Sequence, residues 1–191
     1  MQLNISTENP DLPKHKCFAL GIFEDEKPPR GICGFIDWRL NGFISREIKE
    51  KRIQGELEEK IIIPFPGRIG SEMLLLVGLG KVAELNYDKI YNAAYNIAQT
   101  VDKIGLDSFA FDLHGEGRSQ LVTANIMEAM ITGFFDFLST DINKLSVIDA
   151  CAVAPAASFP SVFQGIRQFK TNVQDKGSVD ISSLEESLGL G

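Results

Sequence analysis

The stretch MLLLVGLG, Met73 to Gly80, is apolar at every alternate position on both sides, and this constrains the fold more than any other segment. A strand with one wet face alternates polar and apolar side chains, whereas one that is apolar throughout needs cover on both faces. Helices packed on either side of a mostly parallel sheet provide that cover. CFALGIF (Cys17 to Phe23) has the same character, and KIIIPFP (Lys60 to Pro66) reads as a strand whose Pro64 marks its end or an edge position. DSFAFDL (Asp107 to Leu113) and KLSVIDACAVA (Lys144 to Ala154) are the remaining expected strands.

Helical spacing fills the gaps between these runs. ICGFIDW (Ile32 to Trp38) leads into a pattern with Leu40, Phe43, Ile44 and Ile48 on one side. Asn86 is placed to cap a helix in which Ile90, Ala93, Ala94, Ile97, Ala98 and Val101 form an apolar stripe. A second long helix carries Val122, Ile126, Ala129, Met130, Gly133, Phe134 and Phe137 on its stripe, and Ser161 to Lys170 suits a final helix after Pro155 and Pro160. The opening fifteen residues are polar, broken by Pro10 and Pro13, and read as a leader without an element. Strand, helix and strand alternate at βαβ spacing, so the expected fold class is α/β: a three-layer α/β/α sandwich with a mostly parallel sheet. Residues 1–170 are expected to form one domain and 171–191 a polar C-terminal tail, with Leu184, Leu188 and Leu190 as a short docked turn.

Charge narrows the partners. The 191 residues carry a net charge of −7, which repels phosphate backbones and excludes nucleic acid as a default partner. The densest basic stretch, Arg46 to Arg52, is interleaved with Glu47 and Glu50 and reads as a solvated helix face. No apolar run approaches the roughly 20 residues of a membrane span, and the N-terminus has no apolar core of a signal peptide. Cys17, Cys33 and Cys151 are odd in number and set among apolar neighbours, as expected of small buried thiols in a reducing compartment. The expected location is the cytoplasm.

Two loops follow strands and contain chemistry-bearing residues. GLGKVA (Gly78 to Ala83) matches the glycine spacing of a dinucleotide fingerprint, but the helix starts only after Asn86, and the acid about 20 residues on, Asp102, falls inside a helix. The preferred reading is a tight turn in which Gly78 and Gly80 adopt positive φ. A P-loop is excluded, because Lys81 lacks the upstream glycine spacing. DLHGEGR (Asp112 to Arg118) ends a strand, where open α/β sheets bind ligands. Asp112, His114 and Glu116 are metal-ligand types, yet a polar loop with two glycines is the simpler reading. His15 has no evident partner, and neither histidine forms a motif with a cysteine. Trp38 and the thirteen phenylalanines are expected in the core.

From Ile36 to Lys81 the chain runs FIDWRLNGFISREI, GELEEK, IIIPFPG, SEMLLLVGLGK, followed by a helix opened by ELNYDKI. This order resembles the N-terminal domain of the M17 leucyl aminopeptidases, where an Asp-containing, Gly-interrupted helix precedes a strand pair ending in a Val-Gly-Leu-Gly-Lys-like turn. Asp37, Leu40, Gly42 and Ile44, then Leu74 to Lys81, carry the likeness, and FFDFLSTD (Phe134 to Asp141) resembles the end of the family's second long helix. The resemblance covers residues 15–155 and implies a macrodomain-like fold. It does not imply catalysis. The family's two metals are held by a Lys and carboxylates, some in an Asn-Thr-Asp-Ala-Glu-Gly-Arg motif of a C-terminal domain, and that motif does not occur in this sequence.

The resulting expectation is a stand-alone binding or assembly module with no catalytic residues, no metal and no cofactor. Its expected partner is an aminopeptidase catalytic subunit or a second copy of itself, with no nucleic acid and no membrane. Two alternatives stand beside it: a macrodomain-type binder of ADP-ribose or a related nucleotide, and one part of a split metallo-aminopeptidase. Ligand-binding residues are expected at Gly78, Leu79, Gly80 and Lys81, whose N–H groups suit a phosphate nest, and at Asp112 and His114.

Overall fold

The computed structural model describes residues 1–12 and 14–174. Six strands, β1 (Gln2–Ser6), β2 (Cys17–Ile22), β3 (Lys60–Pro64), β4 (Met73–Gly78), β5 (Ser108–Asp112) and β6 (Asp149–Val153), form one sheet in the order β1-β6-β5-β2-β4-β3. All neighbours are parallel except β3, which runs antiparallel to β4 at one edge. Pro64 therefore ends an edge strand, where its missing N–H breaks no ladder.

Helices α1 (Gly31–Arg39) and α2 (Phe43–Lys49) lie on one face, where Cys33, Ile36, Ile44 and Ile48 meet Phe18, Leu20, Leu74 and Leu76. Helices α3 (Tyr87–Lys103), α4 (Thr123–Leu138) and α6 (Phe159–Gln174) cover the other face over Ala19, Leu75, Phe109 and Phe111. The fold is thus a three-layer α/β/α sandwich, and every residue of β2 is buried because both of its faces are covered. A short helix α5 (Ile142–Val147) connects α4 to β6.

Local chemistry accounts for the helix ends. The Asn86 side chain accepts from the Lys89 N–H at 2.9 Å and starts α3, whose six expected apolar positions are all buried. On α4, Val122 precedes the first helical residue and is 58% exposed, so it leaves the expected stripe. Because α4 packs between α3 and α6, its buried side also takes in Ala124, Met127, Ile131 and Leu138.

Several expectations are corrected. The first residues are not a leader without structure: Gln2–Ser6 pairs with β6, and Leu3 is fully buried. Lys144 to Val147 belongs to α5, not to the last strand, because the Asp141 carboxylate caps that short helix by accepting from the Asn143 N–H. The final helix begins at Phe159 and continues past Lys170 to Gln174, burying Val173; the docked turn expected at Leu184, Leu188 and Leu190 lies outside the described residues. Trp38 is 67% exposed and Phe65 84% exposed, so neither fills the core. On α1 the buried positions are Cys33, Ile36 and Asp37, which turns Trp38 outward. Phe65 sits in the turn after β3 with φ +49°. Of the two turn glycines only Gly80 has positive φ, at +72°. Gly78 is required by close approach: a Cβ there would come 1.8 Å from the Glu56 carbonyl oxygen.

Candidate functional site: a cleft at the carboxyl ends of the strands

β2 and β5 are neighbours, but the chain leaves them toward opposite faces: β2 leads to α1, and β5 leads to α4. This makes the gap between them a topological switch point, the place where open α/β sheets accommodate ligands. The ladder shows the opening. β2 pairs with β5 only from Cys17 to Ala19, while its pairing with β4 continues to Ile22.

Asp112, the last residue of β5, spans the gap with its side chain. Its Oδ1 accepts from the Gly21 N–H at 2.9 Å and lies 2.9 Å from His114 Nδ1. Burial resists ionisation of this carboxyl, yet the charge and hydrogen bond of His114, the charge of Arg118 and the Gly21 N–H together hold it below its ordinary value. An ionised carboxylate only accepts, so Nδ1 carries the proton, and His114 Nε2 has no hydrogen-bond partner among the described residues. Gly21 must be glycine here, since a Cβ would sit 2.7 Å from Leu79 Cδ1 and 2.9 Å from His114 Nδ1.

Arg118 extends the network. Its side chain is 8% exposed; one terminal nitrogen lies 3.1 Å from Glu26 Oε2 and the other 3.5 Å from Asp112 Oδ2. The guanidinium also stacks on Phe23, 4.8 Å from the ring centroid. A cleft of about 510 Å³ opens above this network. Gly31, Ile32 and Phe35 from the start of α1, Asp112, Leu113 and Glu116 to Arg118 after β5, Thr123 at the start of α4, and Pro155 and Ser158 after β6 line it. Glu116 faces the cleft partly buried; burial, then the Asp112 charge, raises its carboxyl, against the opposing influence of Ser158 and the Arg118 charge.

Of the six expected ligand-binding residues, Asp112 alone lines this cleft, with His114 buried directly behind it. Gly78, Leu79, Gly80 and Lys81 lie elsewhere. The N–H groups of Gly78, Leu79 and Gly80 already donate to the carbonyls of Glu59, Ile22 and Gly55. Gly78 borders a separate hollow of about 30 Å³ against Lys60, Lys89 and Asn96. Sequence reasoning missed Glu26, Gly21 and Gly31; the one available signal was that Glu26 follows a buried parallel strand, as Asp112 ends another. Among the described residues no three His, Cys, Asp or Glu side chains gather as metal ligands.

A family model described as the cytosol aminopeptidase family, N-terminal domain, matches residues 19–140. The chain belongs to this family. Its relatives include a probable cytosol aminopeptidase of Sulfurihydrogenibium sp. (strain YO3AOP1), 29% identical over 140 residues, which are 72% of this chain and 28% of the relative. Another, from Geobacter sp. (strain M21), is 27% identical over 137 residues, with the same coverage of 72% and 28%. The chain thus spans less than a third of the length of the curated relatives it matches.

Solved structures agree on the fold. A macrodomain mutant of Oceanobacillus iheyensis superposes with TM-score 0.72 at 12% identity, covering 89% of this chain and 93% of that one. A Trypanosoma brucei macrodomain in complex with ADP-ribose gives 0.71 at 14% identity, covering 86% and 69%. A tomato leucine aminopeptidase mutant gives 0.60 at 14%, covering 87% of this chain and 35% of that one. The N-terminal domain of this aminopeptidase family is therefore macrodomain-like in this chain.

Proposed function

We propose that this domain works by recognition and assembly, pairing with an aminopeptidase catalytic chain or with a second copy of itself rather than cutting peptides. The supporting observation is the family match: residues 19–140 correspond to the N-terminal domain of the cytosol aminopeptidases, a part that in relatives such as the Sulfurihydrogenibium protein accompanies the rest of a longer chain. Exposed Trp38 and Phe65 offer apolar surface for such a partner. Co-purification of the tagged chain from its own cells, together with its mass in solution, tests this reading; a monomer that captures no aminopeptidase sinks it. Leucine amides supplied with Mn²⁺ or Zn²⁺ should show no turnover with the purified chain, and turnover would establish an enzyme instead. Three buried free thiols and relatives named cytosol aminopeptidases support a cytoplasmic setting.

A second reading is favoured by the cleft itself, whose position at the switch point and volume of about 510 Å³ suit a small molecule. One structural neighbour is in complex with ADP-ribose, which makes that nucleotide the first ligand to try here. Calorimetric titration decides it, and a silent titration at millimolar ligand ends the nucleotide version.

A further inference from the structure

We propose that the cleft takes a zwitterionic free amino acid, with its carboxylate at the first turn of α1 and its ammonium group at Glu116. This inference rests on the reading of the cleft as a small-molecule site and names the chemistry of its ligand.

The first turn of α1 provides the anion end. Among the described residues no side chain caps this helix, and Gly34 is the first of its residues whose N–H returns to a carbonyl, that of Arg30. The earlier N–H groups, at the positive end of the helix dipole, are left for a ligand. A second observation marks the same spot. The Nε of Arg118 is buried without a hydrogen-bond partner among the described residues and lies 3.7 Å from where a Cβ on Gly31 would stand. Each terminal nitrogen turns one of its N–H groups toward Glu26 or Asp112, and Nε is a further donor that this side chain holds in reserve. An unpartnered buried donor is costly, and an oxyanion at the Gly31 turn relieves it.

Charge balance decides what kind of anion. Around the cleft the carboxylates of Asp112, Glu116 and Glu26 outnumber the one guanidinium, Arg118, which is shared between Glu26 and Asp112. A diphosphate entering this surround meets a net negative field on a chain of net charge −7. A ligand with one carboxylate and one ammonium brings no net charge and places its cation where the field favours it. Glu116 is the acceptor: it is partly buried, its carboxyl is raised by burial, and a nearby ammonium lowers the cost of ionising it. Ile32, Phe35 and Pro155 give the side chain an apolar wall.

Calorimetric titration of the full chain with L-leucine, leucinamide, isocaproate, inorganic phosphate and ADP-ribose tests the proposal. Leucine should bind at least about tenfold more tightly than leucinamide, which lacks the carboxylate, and than isocaproate, which lacks the amine. Phosphate and ADP-ribose should bind more weakly than leucine. Glu116→Gln should weaken leucine about tenfold while leaving isocaproate unchanged, with circular dichroism confirming the fold. Leucine no tighter than either half-ligand, or unaffected by Glu116→Gln, overturns the proposal. Heat from ADP-ribose with leucine silent overturns it too but leaves the cleft a small-molecule site; silence from every ligand removes both.

Discussion

Replacing Asp112 with Ala should be the most damaging single change in the cleft wall, and its size follows from three contacts. Oδ1 holds the Gly21 N–H and His114 Nδ1, both at 2.9 Å, and Oδ2 faces an Arg118 nitrogen at 3.5 Å. Alanine leaves the Gly21 N–H as a buried, unsatisfied donor, which costs about 1–3 kcal/mol. It also takes one of two carboxylates from a guanidinium that is 8% exposed, and breaking a buried pair from one side costs about 3–5 kcal/mol. The two penalties overlap, because Arg118 keeps Glu26, so the expected loss is about 3–6 kcal/mol. That is a large share of the ~5–15 kcal/mol that holds a typical domain together. Asp112→Asn keeps the shape and an acceptor for Gly21 but removes the charge, and should cost roughly half as much. Urea unfolding followed by circular dichroism at pH 7 measures both. The pH dependence supplies an independent check. The folded-state carboxyl lies below its ordinary value, so its contribution is present above the unfolded pKa of about 4 and is lost as pH falls through the folded value. The native protein should lose stability on acidification below about pH 4, and Asp112→Asn should lack that part of the loss. An alanine variant within about 1 kcal/mol of the parent would refute the reasoning, since no buried charge network of this kind tolerates losing its central acceptor so cheaply.

Gly21→Ala should disturb the same network without removing a charge: its Cβ would press on His114 Nδ1 at 2.9 Å and on Leu79 at 2.7 Å, costing about 1–3 kcal/mol in the same urea assay. Gly78→Ala should be at least as harmful, because the obstacle 1.8 Å away is the Glu56 carbonyl, which cannot rotate aside; parent-like thermal unfolding would contradict the fold's geometry there. Trp38→Ser should change stability by less than about 0.5 kcal/mol, given 67% exposure, and should weaken any co-purifying partner; an unfolded variant would show that the ring is structural. The thiols of Cys17 and Cys151 are pushed up to about 12 by burial, and burial also raises Cys33. A thiol-specific dye should therefore label the native chain slowly at pH 8 and all three sites promptly in denaturant; rapid native labelling would mean that the sheet opens.

What the sequence made legible is what local periodicity controls. MLLLVGLG, CFALGIF and the stripe from Ile90 to Val101 each declare their element through side-chain pattern, and all of these elements are present and buried. β1 escaped because it is an edge strand with one covered side: Leu3 is buried, while Gln2 is exposed and Asn4 and Ser6 are partly so, which makes five residues look like a polar leader. Trp38 was misread for a different reason. Its aromatic character argues for the core, but the phase of α1, fixed by Cys33, Ile36 and Asp37, points it outward, and phase outranks residue type once a helix lies on a sheet.

The cleft is the least legible feature, and topology explains why. Its walls come from the start of α1, the turn after β5 and the segment after β6, which meet only because β2 and β5 are adjacent in a sheet that places β4 on the other side of β2. No window of sequence contains that adjacency. The phosphate nest expected at Gly78 to Lys81 follows the best strand, and the structure shows the N–H groups of Gly78, Leu79 and Gly80 donating to the carbonyls of Glu59, Ile22 and Gly55. The rule that worked was positional: residues just past a buried parallel strand converge at one edge. Applied to every strand rather than to the most glycine-rich one, it selects Glu26 after β2 together with Asp112 at the end of β5. Two carboxylates converging in a buried space require a shared cation, and Arg118 is the first arginine or lysine downstream of β5. The charge network can thus be inferred from strand order, whereas the cleft above it depends on the three-dimensional meeting of helix ends.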